Sequence, residues 1–184
     1  MGLADRWAEF IYQVATTRSK LKIVATPIGL IFWFSLGVLL VFASLWLDKF
    51  LPVQLLIPTL ANISLSGLLL LIGATLCLGT IYSFVRAKGS PVPLNPPQRL
   101  VTTGLYSWVR NPMVTGWIMM MFGVGVLLNS ISLIFIFTPL FLLLNILYLK
   151  TIEEKEMEKK FGQEYVKYKE IVPMFIPRFR RRQA

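Results

Sequence analysis

The stretch MVTGWIMMMFGVGVLLNSISLIFIFTPLFLLLNILYL, residues 113–149, decides the fold of this chain because it contains no charged residue. Its apolar character predicts two helices, 113–128 and 131–149, joined by Asn129-Ser130 alone. So short a connection forces the helices to run antiparallel, and the sequence therefore predicts a helical hairpin. Because about 20 residues are needed to cross a hydrocarbon core, the first helix is expected to begin below the headgroups.

Two more apolar stretches precede the hairpin, at residues 23–47 and 63–85. Each is long enough to cross a hydrocarbon core of about 30 Å. The composition agrees, since 55% of the 184 residues are hydrophobic and only 15% are charged. We predict an all-α integral membrane helical bundle with about four transmembrane helices, a short helical hairpin and a cytoplasmic C-terminal helix. In the second span, close helix contact is expected at Gly67, Gly73 and Gly79.

The chain divides into three regions. Residues 1–22 mix apolar and charged residues at helical spacing, which predicts an amphipathic helix lying in the membrane interface. Residues 23–85 hold the first two transmembrane helices, with an interfacial piece that starts at Val53 between them. In residues 86–184, a proline-rich loop that cannot be helical leads into the hairpin and a polar tail. One apolar stripe in that tail predicts a single helix that ends before Pro173.

Basic residues indicate how the chain is oriented. Of the 19 Lys and Arg residues, all but Lys49 lie within 1–22, 86–110 or 150–184, which four spans place on one side of the membrane. The positive-inside rule makes that side the cytoplasm, together with both termini. Orientation and contact with anionic lipid then explain the net charge of +10, and nucleic-acid binding is not expected.

The missing residue types exclude several kinds of site. The chain has no histidine and a single cysteine, Cys77, which lies inside an apolar run. Disulfides, histidine-containing zinc sites and Ser-His-Asp or Cys-His catalysis are therefore excluded, and no metal is expected. Any general base has to be Asp, Glu, Lys, Tyr or water.

The segment GLYSWVRNP, which ends at Pro112, has two interpretations. In the first it is only the start of a membrane helix, where Asn111 supplies a capping side chain and Pro112 the first helical position. Gly104 would then form the turn, while Tyr106 and Trp108 would anchor the chain at the interface.

Arg110 in the same segment supports the second interpretation, a binding site. Free amides at a helix start, together with a guanidinium group, favour a bound anion. A carboxylate or a phosphate would fit such a site.

The tail segment IEEKEMEKKFGQEYVKY, residues 152–168, also has two interpretations. As a solvated helix face, it pairs Glu156 with Lys160 at i, i+4 spacing. As a site, its adjacent acids Glu153 and Glu154 hold a ligand ammonium just beyond the last span.

The chain resembles the isoprenylcysteine carboxyl methyltransferase superfamily in LVTTGLYSWVRNPMVTG (100–116), in the hairpin and in EEKEMEKKFGQEYVKYKEIVPMFIP (153–177). That superfamily includes related bacterial membrane methyltransferases and phospholipid methyltransferase-like proteins. The resemblance covers about residues 86–178, whereas the first two spans share only their hydrophobicity with it.

The resemblance implies methyl transfer from S-adenosylmethionine to a lipophilic acceptor at the cytoplasmic membrane face, with residues 86–184 as the catalytic core. The acceptor is expected to be a carboxylate of the isoprenylcysteine type or another lipid-like group. Arg110 is the expected catalytic residue and orients an anionic group of the cofactor or the acceptor. The residues expected to bind the cofactor are Leu100, Val101, Tyr106, Asn111, Pro112, Met113, Val114, Glu153 and Glu154.

Two departures from the superfamily pattern concern the acceptor. The isoprenylcysteine enzymes typically have Arg-His-Pro followed by tyrosine, whereas this chain has Asn111 for the histidine and Val114 for the tyrosine. Before the paired acids stand Tyr148, Leu149 and Lys150, not the arginine expected for an acceptor carboxylate. Methyl transfer tolerates both changes, because alignment and desolvation supply most of what an in-line displacement on a sulfonium needs.

Two other functions fit a chain of this size. One is a small transporter, although ion-coupled carriers usually keep an ionisable residue within a span and these spans have none away from their ends. The other is a non-catalytic scaffold that places the basic segment RFRRR, residues 178–182, on anionic lipid.

Overall fold

The computed structural model of the chain describes residues 21–51, 58–87 and 99–177. Within these ranges the regular structure is helical and there is no strand, so the predicted all-α fold is confirmed. The helices are α1 (Leu21–Asp48), α2 (Thr59–Arg86), α3 (Pro112–Leu127), α4 (Leu133–Phe161) and α5 (Gln163–Ile171), with a short 3-10 helix at Gly104–Ser107.

Several predicted segments fall outside the described residues. They are almost all of the interfacial helix of residues 1–22, the start of the piece that begins at Val53, most of the proline-rich loop and the RFRRR segment.

Three of the helices, α1, α2 and α4, contain stretches long and apolar enough to cross a membrane. The span in α2 has 28 residues and that in α4 has 29. At 1.5 Å per residue each is about 42 Å long, which exceeds a hydrocarbon core of roughly 30 Å. The 16 residues of α3 make it the short hairpin arm that the sequence predicts. Because α4 is longer than the core is thick, its last turns extend beyond the membrane.

A tight turn at Asn129 closes the hairpin between α3 and α4. Asn129 has a φ of 52°, a left-handed conformation that asparagine adopts more readily than most residues. The amide of Ser130 donates to the Gly125 carbonyl at 2.8 Å, and the Asn62 side chain donates to the Asn129 side chain at 2.9 Å. The predicted hairpin is therefore confirmed, and its turn is fastened to the start of α2.

Asp48 attaches the end of α1 to the start of α4. Its carboxylate accepts a hydrogen bond from the Ser132 amide at 2.9 Å and another from the Ser132 hydroxyl. The ring of Trp33 on α1 also packs edge-on against Phe141, with the ring centres 6.2 Å apart. The buried apolar core beside it is formed by Ile118, Met121, Leu133 and Phe141.

Glycines bring the backbones of α2 and α3 together. A Cβ atom on Gly116 would lie 2.7 Å from the carbonyl oxygen of Gly73, closer than real Cβ atoms come. Gly79 is covered by the Leu105 side chain of the 3-10 helix, whereas a Cβ atom on Gly67 would meet no atom of the described residues within 4 Å. The predicted close contact is confirmed at Gly73, is made to a different element at Gly79, and is wrong at Gly67.

Gly116→Ala is expected to destabilise the protein, because the new methyl group would force α2 and α3 apart. Overpacking of this kind typically costs about 1–3 kcal/mol, so the unfolding temperature in detergent should fall by several degrees. Gly67→Ala is the matched control on α2 and should leave that temperature unchanged or slightly raised, since alanine is the better helix former. Equal unfolding temperatures for the two variants would contradict a contact mediated by Gly116.

The last long helix, α4, does not end at the predicted boundary, Leu149. It continues to Phe161 through the π-helical segment Leu149–Glu153, and a second π-helical segment, Leu133–Phe137, lies at its start. The Lys and Glu residues that follow are good helix formers, and the helix breaks only at Gly162, which has a φ of 56°. The prediction of a single tail helix is therefore wrong, since the tail comprises the end of α4 and the separate helix α5.

Candidate active site

Four segments meet at one end of the bundle: the 3-10 helix with the residues up to Pro112, the end of α4, α5, and the non-helical residues 173–177. A buried cluster on α5 holds this end together, and its members are Tyr165, Tyr168 and Val172. Leu100, Met157 and Phe161 pack against that cluster. These apolar contacts hold α5 against the end of α4. The polar residues of both helices lie next to them.

Tyr106 on the 3-10 helix is a buried residue and not an interfacial anchor. Gly104 begins the helix with a φ of 64°, as expected of the turn, and the Tyr106 side chain is only 8% exposed. The Tyr106 ring packs edge-on against Phe84 of α2, with the ring centres 5.8 Å apart. Its carbonyl accepts a hydrogen bond from the Tyr168 hydroxyl at 2.7 Å. The anchor prediction is therefore wrong for Tyr106, while Trp108 is exposed as an anchor would be.

Tyr168→Phe is expected to loosen the 3-10 helix, because the buried Tyr106 carbonyl would lose its hydrogen bond from the hydroxyl. Leaving a buried polar group unpaired costs roughly 1–3 kcal/mol, which thermal unfolding in detergent would detect as a lower transition temperature. Tyr82→Phe is the control, since Tyr82 lies on the exposed side of α2. A Tyr168→Phe protein as stable as the control would show that this hydrogen bond does not hold the 3-10 helix.

The backbone of Arg110 and Asn111 forms hydrogen bonds with residues 173 and 174, which follow α5. The Arg110 amide donates to the Pro173 carbonyl at 2.8 Å, and the Asn111 amide donates to the Met174 carbonyl at 3.1 Å. Asn111 occupies the cap position of α3, with Pro112 in the first turn, as predicted. Its side chain makes no capping hydrogen bond, however, and instead lies 3.5 Å from the Met174 carbonyl. The capping prediction is correct in position and wrong in mechanism, because pairing with residues distant in sequence turns Asn111 away from the helix.

The side chain of Arg110 is held by an acid and a tyrosine. Its Nη1 lies 2.7 Å from Glu154 Oε1 and 3.4 Å from the Tyr165 hydroxyl. Both ends of this ion pair are largely buried, at 11% and 15% exposed, and Lys169 lies 3.6 Å from the other Glu154 oxygen. The buried Nε of Arg110 has no partner within the described ranges. The guanidinium is thus fixed in place, and its buried Nε–H donor is unused among the described residues.

Glu153 lies close to this ion pair. The carboxyl interacts electrostatically with Arg110, Tyr106 and Tyr165, so it belongs to the same group of residues at this end of the bundle. Among the described residues, neither a hydrogen bond nor an ion pair engages it. Glu153 ends the π-helical segment Leu149–Glu153, and such segments are frequent at functional sites.

Glu156 is buried, although the sequence places it on a solvated helix face. It is only 3% exposed, and its Oε1 has no hydrogen-bond partner in the part of the chain that the structure describes. Lys160 acts on it electrostatically, as the i, i+4 spacing predicts. Glu156 lies seven residues after buried Leu149, so helical periodicity is the signal that would have identified its buried position.

The tyrosines around these acids stay protonated. Burial raises the pKa of Tyr165 to about 12, against the opposing effect of the Arg110 charge. Burial also raises the pKa of Tyr106 and the pKa of Tyr168 above the usual range. A proton acceptor at this site has therefore to be a carboxylate or water.

The other residues predicted to bind a cofactor lie at different places. Leu100 packs on the Tyr165 cluster, and Val101 is partly buried nearby in the chain. Pro112 is fully buried, while the Met113 carbonyl accepts a weak hydrogen bond from Cys77 at 3.7 Å. Val114 packs against the core of the bundle. The structure therefore brings Tyr106, Arg110, Glu153 and Glu154 together and places the Val114 side chain elsewhere.

Across residues 21–51, 58–87 and 99–177, no group of three or more His, Cys, Asp or Glu residues is arranged to hold a metal ion.

The chain matches the profile of a known protein family. The profile of the phospholipid methyltransferase family matches residues 62–164, more than half of the chain. This range runs from α2 into α5 and includes Tyr106, Arg110, Glu153 and Glu154. A search of the curated proteins finds none that matches the chain.

Proposed function

The chain belongs to the phospholipid methyltransferase family, which is isoprenylcysteine carboxyl methyltransferase-like, and from this premise we propose that it transfers a methyl group from S-adenosylmethionine to a lipid-like acceptor. Membership supports methyl transfer to a lipid-like substrate, and the apolar helices support a membrane protein. The methyl donor, the acceptor class and the membrane face are the finer parts of the proposal, and each rests on particular residues.

One observation carries the choice of donor: the buried Arg110 guanidinium has an Nε–H group without a partner in the described residues, and the Glu153 carboxyl, which feels the Arg110 charge, has no hydrogen bond or ion pair there. S-adenosylmethionine has a carboxylate and an ammonium on one carbon atom, which are the complementary groups. Arg110 would hold the carboxylate and Glu153 the ammonium through charge-assisted hydrogen bonds. Glu154, expected to bind the cofactor, is paired with Arg110 and would instead keep the guanidinium in place.

The remaining cofactor contacts are proposed from position. Leu100, Val101 and Tyr106 would provide apolar surface, while Asn111 and Pro112 would form the wall at the start of α3. The side chain of Val114 faces the bundle core and is left out, and Met113 would take part through its backbone. When bound, S-adenosylmethionine supplies a methyl group on a positively charged sulfur. The residues of the chain align the two reactants and keep water out.

The acceptor proposed here is an amine of a lipid-like molecule. A carboxylate acceptor of the isoprenylcysteine type would need a cationic partner, but the unpaired Nε–H group of Arg110 is already assigned to the carboxylate of S-adenosylmethionine. The orphan Oε1 of Glu156 is a hydrogen-bond acceptor and suits an N–H donor. An ammonium has to lose a proton before it attacks, and with Glu153 on the cofactor, the Glu156 carboxylate is the proton acceptor proposed here. A carboxylate acceptor remains the second candidate.

The proposed membrane face is the cytoplasmic one, with both termini on that side. The site lies at the end of the bundle where α2 ends in Arg86 and α4 extends into its Lys-rich turns. Basic residues flanking spans are retained on the cytoplasmic side, and the RFRRR segment would add contact with anionic lipid there.

Isothermal titration calorimetry on the purified protein in detergent tests the choice of donor. S-adenosylmethionine is expected to bind at one site per chain, and S-adenosylhomocysteine should compete because it keeps the same carboxylate and ammonium. Absence of heat with both compounds, from protein that unfolds cooperatively, would exclude the proposed donor.

A further inference from the structure

Lys169, in the last turn of α5, connects that helix to two acids of α4. Its Nζ lies 3.6 Å from Glu154 Oε2 and forms a closer ion pair with Glu158 Oε1. The two acids are four residues apart, so they lie one above the other on the same face of α4. The contacts proposed for the cofactor do not use this lysine.

The two oxygens of the Glu154 carboxylate have different cationic neighbours. Oε1 accepts a hydrogen bond from Arg110 Nη1 at 2.7 Å, and Oε2 lies on the side of Lys169. Among the described residues, Glu154 therefore hydrogen-bonds the guanidinium through one oxygen alone. Arginine and a carboxylate frequently form two parallel hydrogen bonds instead. A carboxylate with its second oxygen released could take a further guanidinium N–H group in that way.

Lys169 keeps its positive charge at this position. Its hydrogen bond to Glu158, together with the charges of Glu158 and Glu154, raises the pKa of Lys169, against the effects of partial burial and of Arg110. The lysine is therefore protonated throughout the neutral range. Since its side chain is only 30% exposed, water screens its attraction for Glu154 incompletely.

We infer that Lys169 is a positioning residue, which holds Oε2 of Glu154 away from the guanidinium and so leaves the Nε–H group of Arg110 for the carboxylate of a bound ligand. That the ligand is S-adenosylmethionine rests on the proposed function, whereas the unused Nε–H group belongs to the protein without ligand. Lys169 itself touches no ligand. It acts through Glu154 in the way that a supporting residue fixes the geometry of a site.

Calorimetry with two nucleosides tests this role in the full chain in detergent. S-adenosylhomocysteine carries the carboxylate and the ammonium, whereas 5′-methylthioadenosine has the same adenosine and thioether but neither charged group. Lys169→Met is expected to weaken binding of S-adenosylhomocysteine by about tenfold, a typical coupling within one salt-bridge network, and to leave 5′-methylthioadenosine binding unchanged. Equal losses for both compounds would indicate a general loosening of the site and overturn the positioning role, as would unchanged binding of both.

Three further variants separate positioning from a purely structural ion pair. Lys169→Arg keeps the charge and should restore most of the affinity for S-adenosylhomocysteine. Lys167→Met removes an exposed lysine from the same helix and should change neither affinity. In a Glu154→Gln background, Lys169→Met should have little further effect, because the carboxylate that it positions is already gone. Fully additive losses in that double variant would overturn the inference.

Nuclear magnetic resonance of the arginine Nε–H groups tests the inference without any ligand. The Arg110 signal is identified by its loss in Arg110→Lys, and in Lys169→Met it should shift and exchange more slowly with water, as expected of a newly paired donor. An Arg110 signal identical in Lys169→Met and in the unmodified protein would overturn the positioning role. A shifted signal in a chain that binds neither nucleoside would reject the methyl donor and leave the positioning role standing.

Discussion

Glu153→Gln is expected to abolish measurable S-adenosylmethionine binding while the protein stays folded and at least as stable as before. The glutamine keeps the size of the side chain but removes the charge that would hold the donor's ammonium. Losing one partner of a buried charge pair typically costs about 2–5 kcal/mol, so the dissociation constant should rise by about 30-fold or more.

The expected gain in stability has a separate cause. In the described part of the chain the Glu153 carboxyl has no hydrogen bond or ion pair, and Glu154 and Glu156 add their negative charges nearby. Removing one of three neighbouring charges relieves repulsion in the protein without ligand. Loss of binding together with higher thermal stability is the combination that a binding residue produces and a structural residue does not.

Calorimetry and thermal unfolding on one preparation measure both quantities. Glu164→Gln is the matched control, because Glu164 is exposed at the start of α5 and should change neither. Unchanged affinity in Glu153→Gln would remove Glu153 from the cofactor site. Loss of affinity accompanied by lower stability would assign it a structural role.

Arg110→Lys is expected to lower kcat/KM for methyl transfer by about 10²- to 10³-fold, the usual effect of losing one well-placed donor in an active site. Lysine keeps the positive charge but has no planar fork, so it cannot pair with Glu154 and also present the donor that Nε provides. The backbone hydrogen bond from residue 110 to the Pro173 carbonyl is unaffected by the change. The fold at the start of α3 should therefore be preserved.

The Glu154→Gln variant distinguishes a contact with the cofactor from a positioning role. If Glu154 only fixes the guanidinium, the losses in Arg110→Lys and Glu154→Gln should be far from additive in the double variant. Arg86→Lys is the control, since Arg86 is an exposed arginine at the end of α2. Full activity of Arg110→Lys with a normal KM would show that any positive charge suffices and would contradict a role for the unused N–H group.

The membrane helices and the hairpin could be predicted from sequence because they depend on local properties. Uncharged runs of sufficient length define α1, α2 and α4, and the Asn129-Ser130 connection allows only an antiparallel pair. The start of α3 at Pro112 could also be predicted from the neighbouring residues alone. Proline disfavours a helical conformation in its predecessor and is itself favoured in the first turn.

The features that sequence could not supply depend on contacts between distant residues. The Asn111 side chain does not cap α3 because residues 110 and 111 pair with residues 173 and 174. Gly67 and Gly73 look alike in the sequence, and only the position of α3 decides that Gly73 is the one in contact. A solvated face was predicted for Glu156 because the segment is highly charged, whereas the structure buries it.

The candidate site was predictable in its residues and not in its geometry. Arg110, Glu153 and Glu154 were identified from residue type, position and resemblance. Only the structure shows that Glu154 pairs with the guanidinium, whereas Glu153 has no hydrogen bond or ion pair among the described residues. Because of this difference, we propose that Glu154 positions the guanidinium and that Glu153 binds the cofactor.

Transfer of a radiolabelled methyl group tests the central claim most directly. The purified protein in phosphatidylethanolamine-containing nanodiscs is incubated with S-adenosylmethionine labelled on its methyl group, and the label is counted in the organic extract. We predict label in a base-stable lipid product, as expected of an N-methyl amine, and none with Glu153→Gln. A base-labile product would indicate a methyl ester and the carboxylate acceptor. No label in any lipid, from folded protein that binds the donor and is also supplied with a total membrane lipid extract, would contradict methyl transfer to a lipid.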